Sequence, residues 1–304
     1  MGAGAVIISA SRRTDIPNYY GDWFFKRLEE KYVLVRNPMN FRQIARISLK
    51  PGDVDGIVFW SKNPAPMLSR LEELEGYGFY FQFTLNAYGE ELEPGLPPLE
   101  QRISTFQALA EKIGPERVWW RYDPVLISRA YPVSFHMEAF QRIAQALQGS
   151  TGRVAVSFLD LYKSISKEMD RLGVQPPSTT QQLELAEQMA KTASENGMRI
   201  TACCEGIDLS SFGFFSDACV DAAFLGSLSG RNIPNKKDRN QRAGCKCAAS
   251  VDIGVYGSCP NRCRYCYANH GDTRVRRQFA AYREGAPLLC SELSEADQVY
   301  DRRL

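Results

Sequence analysis

The chain has 304 residues, 44% hydrophobic and 24% charged, with 37 Lys and Arg against 35 Asp and Glu. A net charge of +2 gives no electrostatic case for nucleic acid or an anionic membrane surface. No apolar run approaches the roughly 20 residues needed to cross a bilayer, so no membrane contact is expected.

Residues 1–10 are small and apolar, but Arg12 and Arg13 follow the stretch instead of preceding it. It therefore reads as a buried first strand over 5–10 and not as a signal peptide. Val6 stands where a myristoylation signal carries Ser or Thr, and the expected location is cytoplasmic. Further strands are predicted at 56–60, 79–85, 118–122, 154–159, 200–204, 222–225 and 251–256, with a weaker one at 32–35. The clearest is 79–85, where Phe79, Phe81, Phe83 and Leu85 alternate with Tyr80, Gln82 and Thr84. Between strands, Tyr20, Trp23, Phe24 and Leu28 fall at helical spacing, as do Ile103, Phe106, Leu109 and Ala110 and the 181–195 region. Pro17 and Pro98 suit first helical turns. His136 sits in an amphipathic helical pattern and reads as structural, and Trp119 and Trp120 as core.

About eight strands alternating with helices over roughly 250 residues is the pattern of a closed parallel barrel. The sequence thus predicts an α/β fold: a (β/α) barrel-like parallel sheet over 1–258, then a cysteine-rich segment and helical tail over 259–304, packed on it as one structural unit. An open doubly wound sheet is the alternative. Polar residues cluster just after the predicted strands: Ser11-Arg12-Arg13-Thr14-Asp15, Ser61-Lys62-Asn63-Pro64, Asn86, Arg121-Tyr122-Asp123-Pro124, Asp160-Leu161-Tyr162-Lys163 and Cys204-Glu205. In parallel α/β folds this end carries the active site. For Asp15 or Ser61 taken singly, a helix cap explains the residue as well.

All nine cysteines lie between Cys203 and Cys290, and His136 and His270 are the two histidines. So few cysteines in a chain this long do not make a disulfide scaffold; in a reducing compartment they point to metal or catalysis. Cys259, Cys263 and Cys266 form C-x3-C-x2-C after a predicted strand, a spacing that lets one tight loop aim three thiolates at one centre. Thiolates suit iron–sulfur clusters and zinc, and a cluster held by three leaves one iron open. Arg262 and Arg264 can offset the negative charge of such a unit. A zinc knuckle with a remote fourth ligand is the competing reading.

The segment from Cys259 to Cys266 resembles the cluster-binding loop of the radical S-adenosylmethionine (SAM) superfamily, whose pattern is C-x3-C-x-aromatic-C, with Tyr265 as the aromatic. The Tyr265-Cys266-Tyr267-Ala268 ending is similar to the spore photoproduct lyase branch. The chain also resembles an uncharacterised bacterial family, known as a domain of unknown function, that ends in such a cluster. The blocks that carry this are Ser11-Arg12-Arg13-Thr14-Asp15-Ile16-Pro17, Phe59-Trp60-Ser61-Lys62-Asn63-Pro64, Trp120-Arg121-Tyr122-Asp123-Pro124 and Gln241-Arg242 through Tyr267-Ala268. The superfamily usually carries its loop after the first strand, followed by Gly-Gly-Glu. Here the loop follows the last strand and no Gly-Gly-Glu follows. A barrel is circular, so the last strand would close on the first, and residues 11–15 and 259–266 would share one mouth.

The superfamily resemblance implies a [4Fe-4S] cluster on Cys259, Cys263 and Cys266, SAM on the open iron, and an adenosyl radical acting on a small-molecule or nucleotide-like substrate. A reductase or ferredoxin-type protein would supply the electron. Arg12, Arg13, Asp15, Arg121, Asp123, Asp160 and Lys163 are the candidates to bind substrate or SAM, and the basic run at 235–242 is a further contact for an anionic substrate. Cys203, Cys204, Cys219, Cys245 and Cys247 are candidates for a second metal centre, or else small buried hydrophobes. Cys290 reads as a bystander. Two other functions stay open: an iron–sulfur electron-transfer or sensing protein without SAM chemistry, and a zinc-stabilised nucleic-acid-binding protein.

Overall fold

A computed structural model describes residues 6–302 apart from Ala243 and His270, so residue 5 of the first predicted strand and His270 lie outside the described residues. In chain order the elements are β1 (Val6–Ala10), α1 (Ile16–Tyr19), α2 (Gly21–Glu30), β2 (Tyr32–Asn37), β3 (Asn40–Ser48), β4 (Val54–Ser61) and β5 (Phe79–Thr84). There follow α3 (Leu99–Ile113), β6 (Val118–Val125), α4 (Val133–Ala146), β7 (Arg153–Phe158), α5 (Ser166–Leu172) and α6 (Thr179–Glu195). The chain continues through β8 (Arg199–Ala202), α7 (Ala222–Ser229), β9 (Val251–Asp252), α8 (Asp272–Ala280) and β10 (Gln298–Asp301).

Seven strands form one sheet in the order β8-β7-β6-β5-β4-β1-β9, and every neighbouring pair is parallel. The period-two pattern sorts the faces. Phe59 stacks on Phe81 at 4.6 Å and Phe83 on Phe106 of α3 at 5.0 Å, within a core that includes buried residues of α2, α3, α4 and α6. Ile7, Val58, Tyr80 and Trp119 point the other way, against Ala222 and Leu225 of α7 and the buried Cys219, Val220, Cys247 and Ala248. Trp119 and Trp120 are thus both core, on opposite faces.

Local signals explain the helices. Ser178 and Gln181 make a reciprocal capping box at the start of α6, Pro98 stands at the N-cap of α3, and α2 ends at Lys31 in the left-handed region. Outside the main sheet, β2 and β3 form an antiparallel hairpin, with β10 parallel to β3. Only the start of this small sheet was predicted, at 32–35, because Arg42 and Arg46 interrupt the apolar pattern of β3.

Two strand expectations are corrected. Residues 222–225 are the first turn of α7: the Asp221 carboxylate caps it by accepting from the Phe224 N–H at 2.9 Å. A short apolar run has no periodicity to separate helix from strand. The last strand is only Val251–Asp252 instead of 251–256. The sheet does not close by hydrogen bonding: among the described residues β8 and β9 are not paired. The outer edge of β8 instead receives Phe215, whose N–H donates to the Ile200 carbonyl at 3.0 Å. With the eighth candidate strand a helix laid on the sheet face, nothing regular bridges the gap. Gly56 and Gly78 permit that packing: a Cβ on Gly56 would meet Leu225 Cδ2 at 2.6 Å, and one on Gly78 would meet Ser229 Cβ at 3.1 Å. The expected neighbour relation does occur, since β9 pairs with β1 through Ile8 with Val251 and Ser9 with Asp252.

His136, fully buried on α4, serves this architecture. Its Nε2 lies 2.6 Å from the Leu126 carbonyl, which can only accept, so Nε2 carries the proton and Nδ1 accepts from the Tyr122 hydroxyl at 2.8 Å. Burial pushes its pKa down to about 4. A depressed folded-state pKa gives stability that is present above the unfolded value of about 6.5 and lost as pH falls toward the folded one. Urea unfolding of the wild type should therefore lose on the order of 2 kcal/mol more than His136→Gln between pH 7.5 and 5; parallel profiles would show that His136 does not titrate this way.

Candidate functional site

The carboxyl ends of the parallel strands open onto a cavity of about 480 Å³. It forms because the loop after β1 and the cysteine loop are bound to one another and to the end of β4 by two carboxylates. The first is Asp252 of β9. Its Oδ1 accepts from the Ser11 hydroxyl at 2.6 Å and the Gly254 N–H at 3.0 Å, and its Oδ2 accepts from the Arg12 N–H at 2.8 Å.

The second is Asp15, 5% exposed. Its Oδ1 accepts from the Ser61 hydroxyl at 2.7 Å and from the Asn18 N–H at 3.1 Å, capping α1. Its Oδ2 accepts from the Lys62 N–H at 2.8 Å and the Asn261 side-chain amide at 2.9 Å. Burial pushes the Asp15 pKa up, against these four donors. Asn261, between two cysteines of the motif, accepts in turn from Asn18 and the Tyr19 hydroxyl.

Behind the cysteines lies a buried charge cluster. Glu93 meets Lys62 Nζ at 2.9 Å and Arg102 Nη1 at 3.3 Å and accepts from the Tyr265 hydroxyl. Burial opposes the Glu93 anion, but the Lys62 and Arg102 charges outweigh it and hold the carboxyl below its usual range. Tyr265 is therefore clamped by its hydroxyl, which also accepts from Lys62 at 3.0 Å.

Cys259 and Cys266 are half-buried and Cys263 is buried. Backbone N–H groups of Asp15 and Asn261 serve the Cys259 sulfur, and those of Ala268 and Asn269 serve Cys266. Burial pushes all three thiols up, Cys259 to about 12, while the Lys62 charge works the other way on Cys263 and Cys266. Among the described residues, no group of three or more His, Cys, Asp or Glu is arranged to hold a metal ion.

The structure brings most of the predicted residues together. Arg12, Arg13, Asp15, Arg121, Asp123 and Asp160 line the cavity with Cys259, Cys263, Tyr265 and Cys266. So do Cys203, Cys204, Cys219, Cys245 and Cys247. Lys163 is exposed and is not among the lining residues, although Leu159, Asp160 and Tyr162 just before it are. Arg121 Nε donates to Asp123 at 3.1 Å, and Ser157 donates to the other Asp123 oxygen. Burial raises the Asp123 pKa, but Arg121 and Ser157 overcome it and hold the carboxyl below its usual range. Asp160 pairs with Arg242 at the exposed rim.

Arg12 and Arg121 stand over the Trp60 ring, 4.8 and 5.2 Å from its centre. Arg12 Nη2 and Trp60 Nε1 are buried without a hydrogen-bond partner among the described residues. Buried donors of this kind are costly unless a ligand meets them. Sequence reasoning assigned no role to Glu93, Arg102 or Asp252. Glu93 sits beside Glu90 and Glu91 in a stretch that resembles a solvated loop, and nothing local marks it as buried.

A family model described as "Domain of unknown function (DUF1848)" matches residues 7–268. No curated protein matches the chain. A solved structure titled "Inhibition of the pneumococcal virulence factor StrH and molecular insights into N-glycan recognition and hydrolysis" is similar at 13% identity, over 79% of this chain and 68% of that one, with a TM-score of 0.29. Similarity at that level carries no argument for fold or function.

The Asp15 contacts make a direct stability prediction. Asp15→Ala strands the Lys62 N–H, the Asn261 amide and the Ser61 hydroxyl, and should cost about 3 kcal/mol in urea unfolding. A loss below about 0.5 kcal/mol, the scale of an ordinary surface change, would mean that Asp15 does not hold the loops together.

Proposed function

The chain belongs to the DUF1848 family, and from the cavity at the strand ends we propose that it is a radical SAM-type iron–sulfur enzyme. The observation that carries this is a juxtaposition: the three cysteines of C-x3-C-x2-C line one cavity with polar side chains from the ends of β1, β4, β6 and β7. A cluster and a substrate would then share one chamber, as hydrogen abstraction requires.

The donor set on the cysteine loop supports this reading. Cys259, Cys263 and Cys266 would hold a [4Fe-4S] centre, and the backbone donors to Cys259 and Cys266 favour bound thiolates. A cubane takes one thiolate per iron, so its ligands do not converge on a single point as zinc ligands do. When bound, such a cluster supplies an open iron for SAM and the electron that cleaves it to an adenosyl radical. Lys62, anchored by Glu93, places a positive charge near the anionic centre. Arg12 and Trp60 offer their unpaired donors to an anionic group of SAM or of a small-molecule or nucleotide-like substrate. Arg121 and Asp123 neutralise one another on the same wall and present a fixed dipole.

A reductase or ferredoxin-type protein would deliver the electron, and a reducing cytoplasm suits this chemistry. No described helix is long and apolar enough to cross a membrane. We also read the sheet as an opened (β/α) barrel. The support is that its strands run in sequential order from β9 and β1 to β8, with most helices on one face.

The test is SAM chemistry in anaerobically prepared, iron-loaded protein. SAM should perturb the electron paramagnetic resonance signal of the reduced cluster and release deoxyadenosine, and Cys263→Ala should abolish both. An unchanged signal at saturating SAM in loaded wild type would overturn the enzyme reading and leave electron transfer.

A further inference from the structure

Five cysteines that the proposed cluster does not use line the same cavity, and three of them are in mutual chain. Cys203 Sγ lies 3.4 Å from Cys219 Sγ, and Cys219 also hydrogen-bonds to the Cys247 thiol. The contact is imposed by the fold. The Cys203 N–H donates to the Val156 carbonyl of β7 at 2.9 Å, which fixes that residue to the sheet edge. The Cys219 carbonyl accepts from the Tyr80 hydroxyl at 2.6 Å and the Gln82 amide at 2.8 Å, both on β5. Two sulfurs held from separate strands therefore touch with nothing between them.

The Cys219 contact and burial push the Cys203 thiol well up, and Cys247 and burial raise Cys219 against its Cys203 contact, while the Arg121 charge opposes both shifts. Inert cysteines are enclosed by apolar groups, whereas reactive ones are electropositive and reachable. Arg121 Nη1 donates to Cys219 Sγ at 2.9 Å, and the Val220 N–H donates to Cys247 Sγ at 3.3 Å. The Cys219 thiol, against burial and with help from the Arg12 charge, holds Cys247 below the usual thiol range. Cys203 is half-buried and faces the cavity. The sulfur contacts are pairwise, Cys203 with Cys219 and Cys219 with Cys247. Closing a disulfide of about 2.05 Å from 3.4 Å needs only a small movement of the two sulfurs.

We propose that Cys203 and Cys219 are a redox-active dithiol, closing to a disulfide in exchange with a low-molecular-weight disulfide that enters the cavity. One thiolate of the pair attacks a sulfur of the incoming disulfide, forming a mixed disulfide and releasing one small thiolate. The second cysteine attacks the protein-side sulfur and releases the other. Two electrons pass from the cysteine sulfurs to the small disulfide, and the two cysteine protons end on the released thiols. The Arg121 guanidinium stabilises Cys219 as a thiolate, whether attacking or leaving. Cys247, in contact with Cys219, can exchange with the bond, moving it to Cys219–Cys247 and freeing Cys203. This inference does not rest on the cluster reading, because neither iron nor SAM takes part.

The test uses the full chain, purified anaerobically and incubated with oxidised glutathione. Free thiols are then alkylated, and the protein is cleaved after glutamate, arginine and lysine, so that Glu205 separates Cys203 from Cys219 and Arg231 separates Cys219 from the later cysteines. Mass spectrometry should find these two peptides joined in wild type and in Cys204→Ser, and not in Cys203→Ser. Wild type in which Cys203 and Cys219 are both recovered alkylated, while glutathione is found on other cysteines, would overturn the proposal. So would a bound metal that is lost in Cys219→Ser and kept by wild type. The wild-type map decides the matter even if a variant fails to fold.

Discussion

The Asp15 carboxylate binds together three segments that lie far apart in the chain: the loop after β1, the end of β4 and the cysteine loop after β9. All four of its hydrogen bonds come from these segments or from the helix that it caps. A buried carboxylate is stable only when its lone pairs are met by donors, so each segment fixes the position of the others. Asp252 repeats the device on the neighbouring strand, with Ser11 and Arg12 as donors. The cavity is the space left between loops secured in this way. Its polar walls follow from the sheet, since every parallel strand ends at the same side.

The same sheet explains what fills its other face. α7 lies directly on β4 and β5 because Gly56 and Gly78 leave room for Leu225 and Ser229, and Phe224 packs on Tyr80 at 5.3 Å and Trp119 at 5.2 Å. The segments around Cys219 and Cys247 pack with α7, and both cysteines line the cavity.

Much of this was legible in residue order. Alternation in 79–85 fixed both faces of β5, and the polar residues after each strand identified the end of the sheet that carries the cavity. The C-x3-C-x2-C spacing stood out because three thiols within one loop have few structural uses in a reducing compartment. Other features were hidden for physical reasons. Residues 222–225 are too few to show a helical period, and the decisive signal was the single cap Asp221. β3 was masked by its arginines, one of which stacks on Tyr32 at 4.4 Å. Glu93 resembled a solvated acid because its partners, Lys62, Arg102 and Tyr265, come from distant positions. Asp15 had two readings from sequence, cap and functional acid. Its role as a cap is confirmed, and its oxygens are committed to holding the loops.

The proposed cluster on Cys259, Cys263 and Cys266 is open to direct measurement. Lys62 is held by Glu93, and backbone N–H groups meet the Cys259 and Cys266 sulfurs. The most direct measurement is anomalous X-ray diffraction at the iron edge from anaerobically grown crystals of iron-reconstituted protein. The expected result is an iron peak of cluster size bonded to Cys259, Cys263 and Cys266 and facing Arg12 across the cavity. A zinc-edge peak at those thiols, or iron bound only elsewhere in the chain, would contradict it.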